Sequence, residues 1–470
     1  MRKVVGCKGP VTRRSFLEVG SLGICGLGLS HLLRLKAQAR QPDASPVETS
    51  VILVWLPGGP PHMETFDMKP DAPVEYRGEF RPIRTVVPGM EVCEHLPRFA
   101  KIADKYSIIR SIAHEFADHG GGHKRFLTGR DPREPTGFVN DYPMVGSIVA
   151  KMREGRSCQK GVPDYVNFCD HGRQHIDVFS FGSAYLGPET HPFTVPGDPS
   201  RPEFQVHNLC LHPDLAGRLE DRRLLLAGFD RLAKEIDGSG VMDALDEFNR
   251  RAIELLTSPR VRQAFDLSQE SPAIREKYGR HAWGQRALLA RRLIEAGSSF
   301  VTVVMENPLP SGGLPKYAVY NWDSHAVNCH IFDDFRLRAP YFDQAVTALI
   351  EDVYLRGLDH HVMIIVTGEF GRTPRINPAV GTQTGVMQPG RDHWPQAMSV
   401  VVAGGRMRTG QVVGATNARG EYPKERPLTP NDLWATMFRH LGIDIHHTFP
   451  DHAGRPMPIL PYGQVISELL

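Results

Sequence analysis

The sequence predicts an α/β fold with an open, mostly parallel β-sheet, and three features indicate this class. Short, continuous apolar runs occur at residues 51–56 (VILVWL) and 362–366 (VMIIV), and residues 300–305 (FVTVVM) are apolar apart from Thr302. A strand that is apolar at every position is typical of a parallel sheet, because helices cover both of its faces. Segments with the apolar spacing of helices lie between these runs, for example at residues 281–296 and 332–356. We therefore expect strands and helices to alternate along the chain.

The individual elements follow this alternation in order. The predicted strands are residues 51–56, 106–112, 300–305, 360–367 and 398–403. The predicted helices are residues 97–105, 141–153, 281–296, 332–356 and 429–441. Gly297 is typical of a helix C-cap, and Thr429 followed by Pro430 is typical of a helix start. Residues 157–212, which contain six prolines and five histidines, predict an irregular excursion, and residues 214–297 a largely helical section, within a single domain over residues 40–470.

Composition limits the class of partner. Hydrophobic residues make up 41% of the 470-residue chain and charged residues 23%, which is ordinary for a soluble globular protein. Beyond residue 39, 48 basic and 52 acidic residues leave a net charge of −4. This slightly acidic balance argues against nucleic acid as a partner. The cysteines include no C-x-x-C pair, which argues against a thiolate zinc site.

The first 39 residues have the pattern of an export signal. Residues 12–17 (TRRSFL) match a twin-arginine pattern, a Gly- and Leu-rich apolar segment follows at residues 19–33, and residues 37–39 (AQA) match a cleavage site. This order predicts a twin-arginine signal peptide, recognition by the twin-arginine (Tat) export machinery, a mature chain beginning at Arg40, and a periplasmic or extracellular location. An uncleaved membrane anchor is the alternative, but the segment is short and interrupted by glycines. We expect no stable membrane span after cleavage, because no other run is long enough.

A candidate functional loop lies between two predicted strands, over residues 368–397. Glu369 and Arg372 directly follow the strand at 360–367, and Arg391, Asp392 and His393 precede the strand at 398–403. Open α/β sheets place their binding sites just beyond the carboxyl ends of parallel strands. An ordinary surface loop with a helix-capping Asp is the alternative interpretation.

Two further strand ends carry residues of the same kinds. Residues 114–123 (HEFADHGGGH) follow the strand at 106–112 and contain His114, His119 and His123. The first two of these histidines are five residues apart and do not fit the H-E-x-x-H zinc motif, whose histidines are four apart. The three glycines between His119 and His123 predict a loop or a helix start. Asp323 and His325 follow the strand at 300–305, and a capping Asp beside an exposed His is the alternative there.

Five motifs together resemble the DUF1501 family. They are GGPPHMETFDMKP at residues 58–70, DHGGGH at 118–123, NWDSH at 321–325, TGEFGRTP at 367–374 and GRDHWP at 390–395. The family comprises exported bacterial proteins grouped with the alkaline phosphatase/sulfatase superfamily. The resemblance implies a doubly wound, alkaline-phosphatase-like α/β fold with a metal site at the carboxyl ends of its strands. It implies no particular substrate.

The resemblance also implies metal ligands, position by position. Asp323 and His325 match the mid-chain Asp and His of the superfamily, and His393 matches its final His. Glu369 stands where the Asp of a later Asp-His pair is expected. Phe370 replaces the histidine of that pair, which removes one ligand.

The first strand departs from the superfamily pattern. Gly58-Gly59 stand where an Asp is expected, so Glu64 and Asp67 are the candidates to replace it, although Asp67 also fits a turn or N-cap residue. Asp392 completes the predicted ligand set. Imidazole and carboxylate ligands suit Zn, Mn or Fe better than Ca, so we expect one or two divalent transition-metal ions.

The nucleophile of the superfamily is missing. Its members have a Ser, Thr or modified Cys at the helix start after the second strand, but residues 113–126 contain none of these. A metal-bound hydroxide needs no protein nucleophile, because the cation lowers the pKa of water towards about 7. The missing nucleophile leaves three interpretations: a histidine attacks, a metal-bound water attacks, or the site binds without turnover. We predict attack by metal-bound hydroxide, with His119 or His123 as general acid/base and Arg372 or Arg391 holding the anionic group.

Two functions fit these features. The first is an exported metal-dependent hydrolase of a phosphate or sulfate ester, acting on an anionic small molecule or polysaccharide. The second is an exported binding or structural protein on a hydrolase fold without turnover. The missing hydroxyl and Phe370 favour the second function. The His, Asp, Glu and Arg residues retained on three strand ends favour the first, which is our prediction.

Overall fold

A central eight-stranded sheet organises the protein. The structure, a computed structural model, describes residues 49–137, 139–154, 161–170, 181–206, 258–309 and 313–470. In these residues the strands are β1 (Ser50–Trp55), β2 (Pro82–Arg84), β3 (Glu91–Cys93), β4 (Tyr106–Ile112), β5 (Tyr165–Phe168), β6 (Phe193–Thr194), β7 (Phe300–Val304), β8 (Val362–Thr367), β9 (Gly371–Arg372), β10 (Ala379–Val380), β11 (Met387–Gln388), β12 (His393–Trp394), β13 (Met398–Gly404), β14 (Gln411–Val413), β15 (Ala415–Thr416), β16 (Pro423–Glu425), β17 (Thr448–Pro450) and β18 (Pro456–Pro458). The α-helices are α1 (Val74–Arg77), α2 (Pro97–Lys101), α3 (His119–Thr128), α4 (Val145–Arg153), α5 (Pro259–Phe265), α6 (Pro272–Tyr278), α7 (Ala282–Ala296), α8 (Ile331–Leu355) and α9 (Pro430–Leu441).

The central sheet is parallel apart from one strand. Its order is β14-β4-β13-β8-β1-β7-β5-β6. β1 pairs in parallel with β7 and β8, and the pairs β7–β5, β5–β6 and β14–β4 are also parallel. β13 is antiparallel to both of its neighbours, β4 and β8. Helices pack on both faces, so the predicted α/β class with a doubly wound, mostly parallel sheet is confirmed.

β13 runs against the other strands because no helix connects it to β8. The chain leaves β8 at its carboxyl end, forms a loop with short ribbons over residues 368–397, and enters β13 from the same edge of the sheet. A parallel pair requires a crossover connection, usually a helix, whereas an antiparallel pair does not. Both ends of the loop predicted to carry function therefore lie at one edge of the sheet.

The continuous apolar run of β1 is explained by two separate cores. Ile52 and Val54 face one core with α7 and α8, whereas Val51, Leu53 and Trp55 face the other with α3, α4 and α9. All five side chains are fully buried. Alternate residues of a strand point to opposite faces, so a strand covered on both sides has no polar position. Each such side chain stabilises the fold by about 1.5–3 kcal/mol.

The helix ends also follow the sequence. Gly297, at φ +115°, closes α7 in the left-handed conformation, and its N–H bonds to Leu293 and Ile294 carbonyls. Thr429 and Asp432 form a capping box at the start of α9.

The excursion predicted for residues 157–212 is wrong in part. Tyr165–Phe168 and Phe193–Thr194 are strands of the central sheet, because β5 pairs with β7 along its whole length. Sequence periodicity missed this, since both strands are short. Residues 214–257 of the predicted helical section, and the predicted signal peptide at 1–39, lie outside the described residues. Within the described part of the chain, every helix is too short or too polar to cross a membrane.

We expect His281 to make the protein less stable in acid. His281 is the N-cap of α7, where its Nδ1 accepts the Gly284 N–H at 3.3 Å, and burial lowers the pKa of its imidazole to about 4. The unfolded chain then binds the extra proton between pH 6.5 and 4, so the free energy of unfolding falls as the pH falls, by about 2 kcal/mol between pH 7.5 and 5. His281→Ser replaces the ring nitrogen by a hydroxyl oxygen that also accepts at the N-cap, and it removes the titration. Urea unfolding at both pH values should therefore show a drop smaller by about this amount in the variant, and an equal drop in both proteins would contradict the assignment.

Candidate metal centre

Four strand ends meet at the carboxyl edge of the sheet and supply the site. β1, β4, β7 and β8 all point to this edge. Gly58 follows β1, His119 opens α3 after β4, Asp323 follows β7, and Glu369 follows β8. Because parallel strands end at one edge, these residues lie together although the sequence separates them widely.

The open position, as we name it, is formed by Asp323, His325 and His393, with His119 beside them. Asp323 Oδ1 lies 3.1 Å from His325 Nε2, 3.2 Å from His393 Nε2 and 3.3 Å from His119 Nε2. The two nitrogens of His325 and His393 are only 2.9 Å apart. The side chains of Asp323, His325 and His393 are 19%, 22% and 20% exposed. Four donor atoms thus converge on one small volume that solvent reaches.

Hydrogen bonds on the outer nitrogens of His325 and His393 fix which ring nitrogen carries the hydrogen, so that the lone pairs face the open position. His393 Nδ1 lies 2.6 Å from the Ala117 carbonyl, which can only accept, so Nδ1 carries the hydrogen. His325 Nδ1 likewise donates to Asp392 Oδ1 at 2.6 Å. In the neutral rings both Nε2 atoms are then lone pairs, which face each other and the Asp323 carboxylate. The two lone pairs and the carboxylate repel one another at these distances unless a cation binds between them. Donation of a hydrogen bond from the other ring nitrogen to a carbonyl or carboxylate is typical of metal-binding histidines.

The deep position, as we name it, is formed by His119 Nδ1, His123 and Glu369. Glu369 Oε1 lies 2.8 Å from His119 Nδ1 and 3.4 Å from His123 Nε2, and it accepts the Gly58 N–H at 2.8 Å. His123 and Glu369 are fully buried. Among the described residues, Glu369 Oε2 and both ring nitrogens of His123 have no hydrogen-bond partner. Native proteins rarely leave buried polar atoms unpaired, so these atoms fit a bound cation.

Glycines allow the backbone to close around both positions. Gly58 has φ +106°, and a Cβ there would lie 2.5 Å from the Asp323 backbone nitrogen. A Cβ on Gly122 would lie 2.8 Å from the Phe370 ring. The glycines of the DHGGGH motif therefore form a helix start, as one of the two predictions had it, with the Asp118 carboxylate capping α3.

His114 positions Glu369 without reaching the cluster. Its Nδ1 accepts the Phe116 N–H at 3.2 Å, so its Nε2 carries the hydrogen and donates to the Glu369 carbonyl at 2.6 Å. Burial lowers the pKa of His114 to about 4, which keeps the ring neutral in this role.

The charges of the cluster depend on one another. Burial would raise the pKa of the Asp323 carboxyl, but Arg372 and the three histidines bring it far below its ordinary value. Burial would likewise raise the pKa of Glu369, and His123 and His119 bring it below its ordinary value. Burial would lower the pKa of His119, but its contacts with both carboxylates raise it to about 9. Both carboxylates are therefore ionised near neutral pH.

The two predicted anion-holding arginines are not available to a ligand, which corrects that prediction. Both guanidinium groups are fully buried. Arg372 donates to the Gly58 and Gly59 carbonyls and, at 2.7 Å, to Asp323 Oδ1. Arg391 donates to Glu64 Oε1 at 2.7 Å and to backbone carbonyls that include Tyr76 O at 2.7 Å. Their donors hold the loops together, so neither can clamp a substrate in this structure.

Glu64 and Asp67 also have other partners, which removes them from the ligand set. Glu64 is the buried counter-ion of Arg391. Asp67 accepts from Lys69 Nζ at 2.9 Å and from the Thr416 hydroxyl, and Arg110 lies 3.5 Å away. The first strand supplies backbone groups to the site and no carboxylate.

Asp392 and Phe370 surround the open position. Asp392 contacts His325 Nδ1 and accepts from Asn377 Nδ2 at 2.9 Å, so it orients a ligand from outside. The Phe370 ring lies 4.6 Å from the ring of His393 and 5.3 Å from that of His119, centroid to centroid. The ring therefore packs against one histidine of each group of donors.

Sequence reasoning assigned His119 and His123 to proton transfer and missed their position beside the carboxylates. His119 shares one group of donors with His123 and Glu369, and a second with Asp323 and His393, each group within 4.8 Å. The spacing of four between the two histidines was the available signal, because i and i+4 share one face of a helix.

Fold and cluster together define an α/β protein with a candidate metal centre at the carboxyl edge of its sheet. The family described as "Protein of unknown function (DUF1501)" matches residues 48–470, and the chain belongs to it. A search of curated proteins found no match.

Several solved structures are similar to this chain. A 2-O GAG sulfatase has 11% identity and a TM-score of 0.37, with 89% of this chain and 73% of that one covered. The phosphonate monoester hydrolase of Agrobacterium radiobacter has 11% identity and a TM-score of 0.34, with 90% and 77% covered. A lipoteichoic acid synthase from Listeria monocytogenes has 9% identity and a TM-score of 0.34, with 84% and 72% covered. We infer no activity from likenesses at these scores.

Proposed function

We propose that this protein is a metal-dependent hydrolase of a phosphate or sulfate ester. The observation that carries the proposal is the open position, where two histidine lone pairs and one carboxylate oxygen converge within 3.2 Å of one another. The position is reached by solvent, as a catalytic metal site must be, whereas a structural site is closed.

Some of these residues would bind the ion, and others fix the orientation of the binding side chains. Asp323, His325 and His393 would hold the ion, and the chemistry of these donors suits Zn, Mn or Fe. Asp392 and the Ala117 carbonyl fix the two rings, and Arg372 fixes Asp323 from behind. When bound, the ion would supply Lewis acidity and lower the pKa of a nearby water. That chemistry would allow hydrolysis of an ester at a site whose protein residues offer no hydroxyl nucleophile.

The acid/base role predicted for His123 is not part of this proposal. Its ring is fully buried behind Glu369 and packs against Trp55, so it cannot meet a substrate. His119 Nε2 lies at the open position, 3.3 Å from Asp323 Oδ1.

Turnover by metal-replete protein tests the proposal. Zn(II)-, Mn(II)- and Fe(II)-loaded protein would be assayed with an aryl phosphate, an aryl phosphodiester and an aryl sulfate. We expect hydrolysis of at least one, its loss with a chelator and its return with the metal. Full metal occupancy without turnover of any of the three would replace this function by the binding alternative, which the two engaged arginines favour.

We also propose that the protein works in the periplasm or outside the cell after twin-arginine export. The proposal is supported by the order of the twin-arginine pattern, apolar segment and AQA site. Mass spectrometry of the exported protein should find Arg40 as its first residue, and an intact N-terminus on exported protein would contradict cleavage.

A further inference from the structure

We propose that His119 bridges two metal ions, with Nε2 on the ion at the open position and Nδ1 on a second ion at the deep position. This inference rests on the proposed ion at the open position and adds a second, closed site. The donors of the second site are His119 Nδ1, His123 Nε2 and Glu369, all within 4.8 Å of one another.

The first argument is the surroundings of the His119 ring. Its Nδ1 lies 2.8 Å from Glu369 Oε1 and its Nε2 lies 3.3 Å from Asp323 Oδ1. A neutral imidazole has one N–H, so it cannot donate to both carboxylates. One nitrogen would then direct a lone pair at an anion. When an ion binds on each side, the ring releases its N–H hydrogen to water as a proton and binds both ions as an imidazolate, which removes this conflict.

The second argument is the set of unpaired atoms behind His119. Both nitrogens of His123 and Oε2 of Glu369 are fully enclosed, and the described residues offer them no hydrogen bond. A protonated His119 could satisfy both carboxylates by hydrogen bonding, but it would leave these atoms unpaired. An ion at the deep position pairs with a His123 nitrogen and with Glu369 together.

The third argument is the spacing of the donors. Two donors on one tetrahedral ion, each about 2.0–2.1 Å from it, lie about 3.3 Å apart. The deep position has donor separations of 2.8 and 3.4 Å, and the open position has 2.9 to 3.3 Å. Both sets already have nearly the dimensions of an ion's ligand shell.

The bridge has a chemical consequence for the open ion. With His119 added, four protein donors surround the open position, so a water or ester would be a fifth ligand. The two ions would lie about 6 Å apart across an imidazole ring, whereas ions that clamp one phosphoryl group lie about 3.5–4 Å apart. The deep ion therefore does not touch the ester, and its closed site indicates a structural role.

Metal binding and magnetism test the bridge independently of turnover. Elemental analysis of Zn(II)- or Mn(II)-loaded protein should find two ions per chain, of which a chelator removes one quickly and the other slowly. Protein loaded with Cu(II) at both positions should show an exchange-coupled pair, with most of the isolated-ion electron paramagnetic resonance signal lost.

Matched variants separate the two positions. His123→Phe keeps a buried ring against Trp55 and should hold one ion with an uncoupled Cu(II) signal. His360→Ala, whose side chain is 66% exposed, should hold two. One ion in the unaltered protein with turnover intact would overturn the bridge and leave the proposed function standing, and two uncoupled ions would also overturn it. No ion at all would overturn both.

Discussion

Asp323→Ala is expected to remove the ion from the open position and with it ester hydrolysis. Asp323 Oδ1 is the atom on which three histidine nitrogens converge, and its negative charge would hold the proposed cation there. Loss of an outer partner costs about 10–100-fold in metal affinity, so loss of this ligand should cost about 10³-fold or more. Calorimetric titration with Zn(II) or Mn(II), together with kcat/KM, measures the effect.

Two control variants provide the metal affinities with which that of Asp323→Ala is compared. Asp392→Asn changes only the outer partner of His325 and should weaken metal binding by about 10–100-fold. Asp71→Ala, at an exposed carboxylate, should change nothing. A folded Asp323→Ala protein with full metal affinity and activity would show that the ion binds elsewhere.

Glu64→Ala is expected to destabilise the protein strongly, with no direct effect on metal binding. It leaves the Arg391 guanidinium fully buried without the carboxylate that now lies 2.7 Å away. Removing one partner of a buried ion pair destabilises a protein by about 3–5 kcal/mol, because the remaining charge stays desolvated. Urea unfolding of the metal-free protein measures this loss without a contribution from bound ions.

The comparison with an exposed glutamate isolates the cause. Glu75→Ala, in the first turn of α1, should change the free energy of unfolding by no more than about 0.5 kcal/mol. Glu64→Ala protein that remains folded should keep its ion stoichiometry. Unchanged stability with a lost ion would return Glu64 to the ligand set and contradict its structural assignment.

The central fold was largely predictable from local pattern. The segments at β1, β7 and β8 are apolar at nearly every position, and the structure pairs β1 in parallel with both of the others and buries all three strands. The short strand β5 escaped prediction because only four residues carry its pattern. The antiparallel direction of β13 escaped it as well, because a buried strand has the same apolar pattern in either direction.

For the candidate site, the sequence predicted which residues gather there but not the contacts that each of them makes. Asp323, His325, Glu369 and His393 were singled out as residues beyond strand ends, and the structure does bring them to one edge of the sheet. Whether each side chain can be a ligand depends on which groups its nitrogen or oxygen atoms contact in the folded protein. His119 and His123 illustrate this, since their carboxylate partner Glu369 lies 250 residues away from His119 in the chain.

By itself the sequence determined the class of fold, the edge of the sheet at which chemistry is placed, and the residue types gathered there. These depend on strand and helix patterns that a few neighbouring residues express. Only the tertiary structure decided that Arg372 and Arg391 donate to buried groups of the protein itself. It also decided that Glu64 is the counter-ion of Arg391 and that His119 lies between two carboxylates. Glu64 and Arg391 are 327 residues apart. A buried charge takes its role from the groups that surround it in space, because removal from water leaves those groups as its only partners.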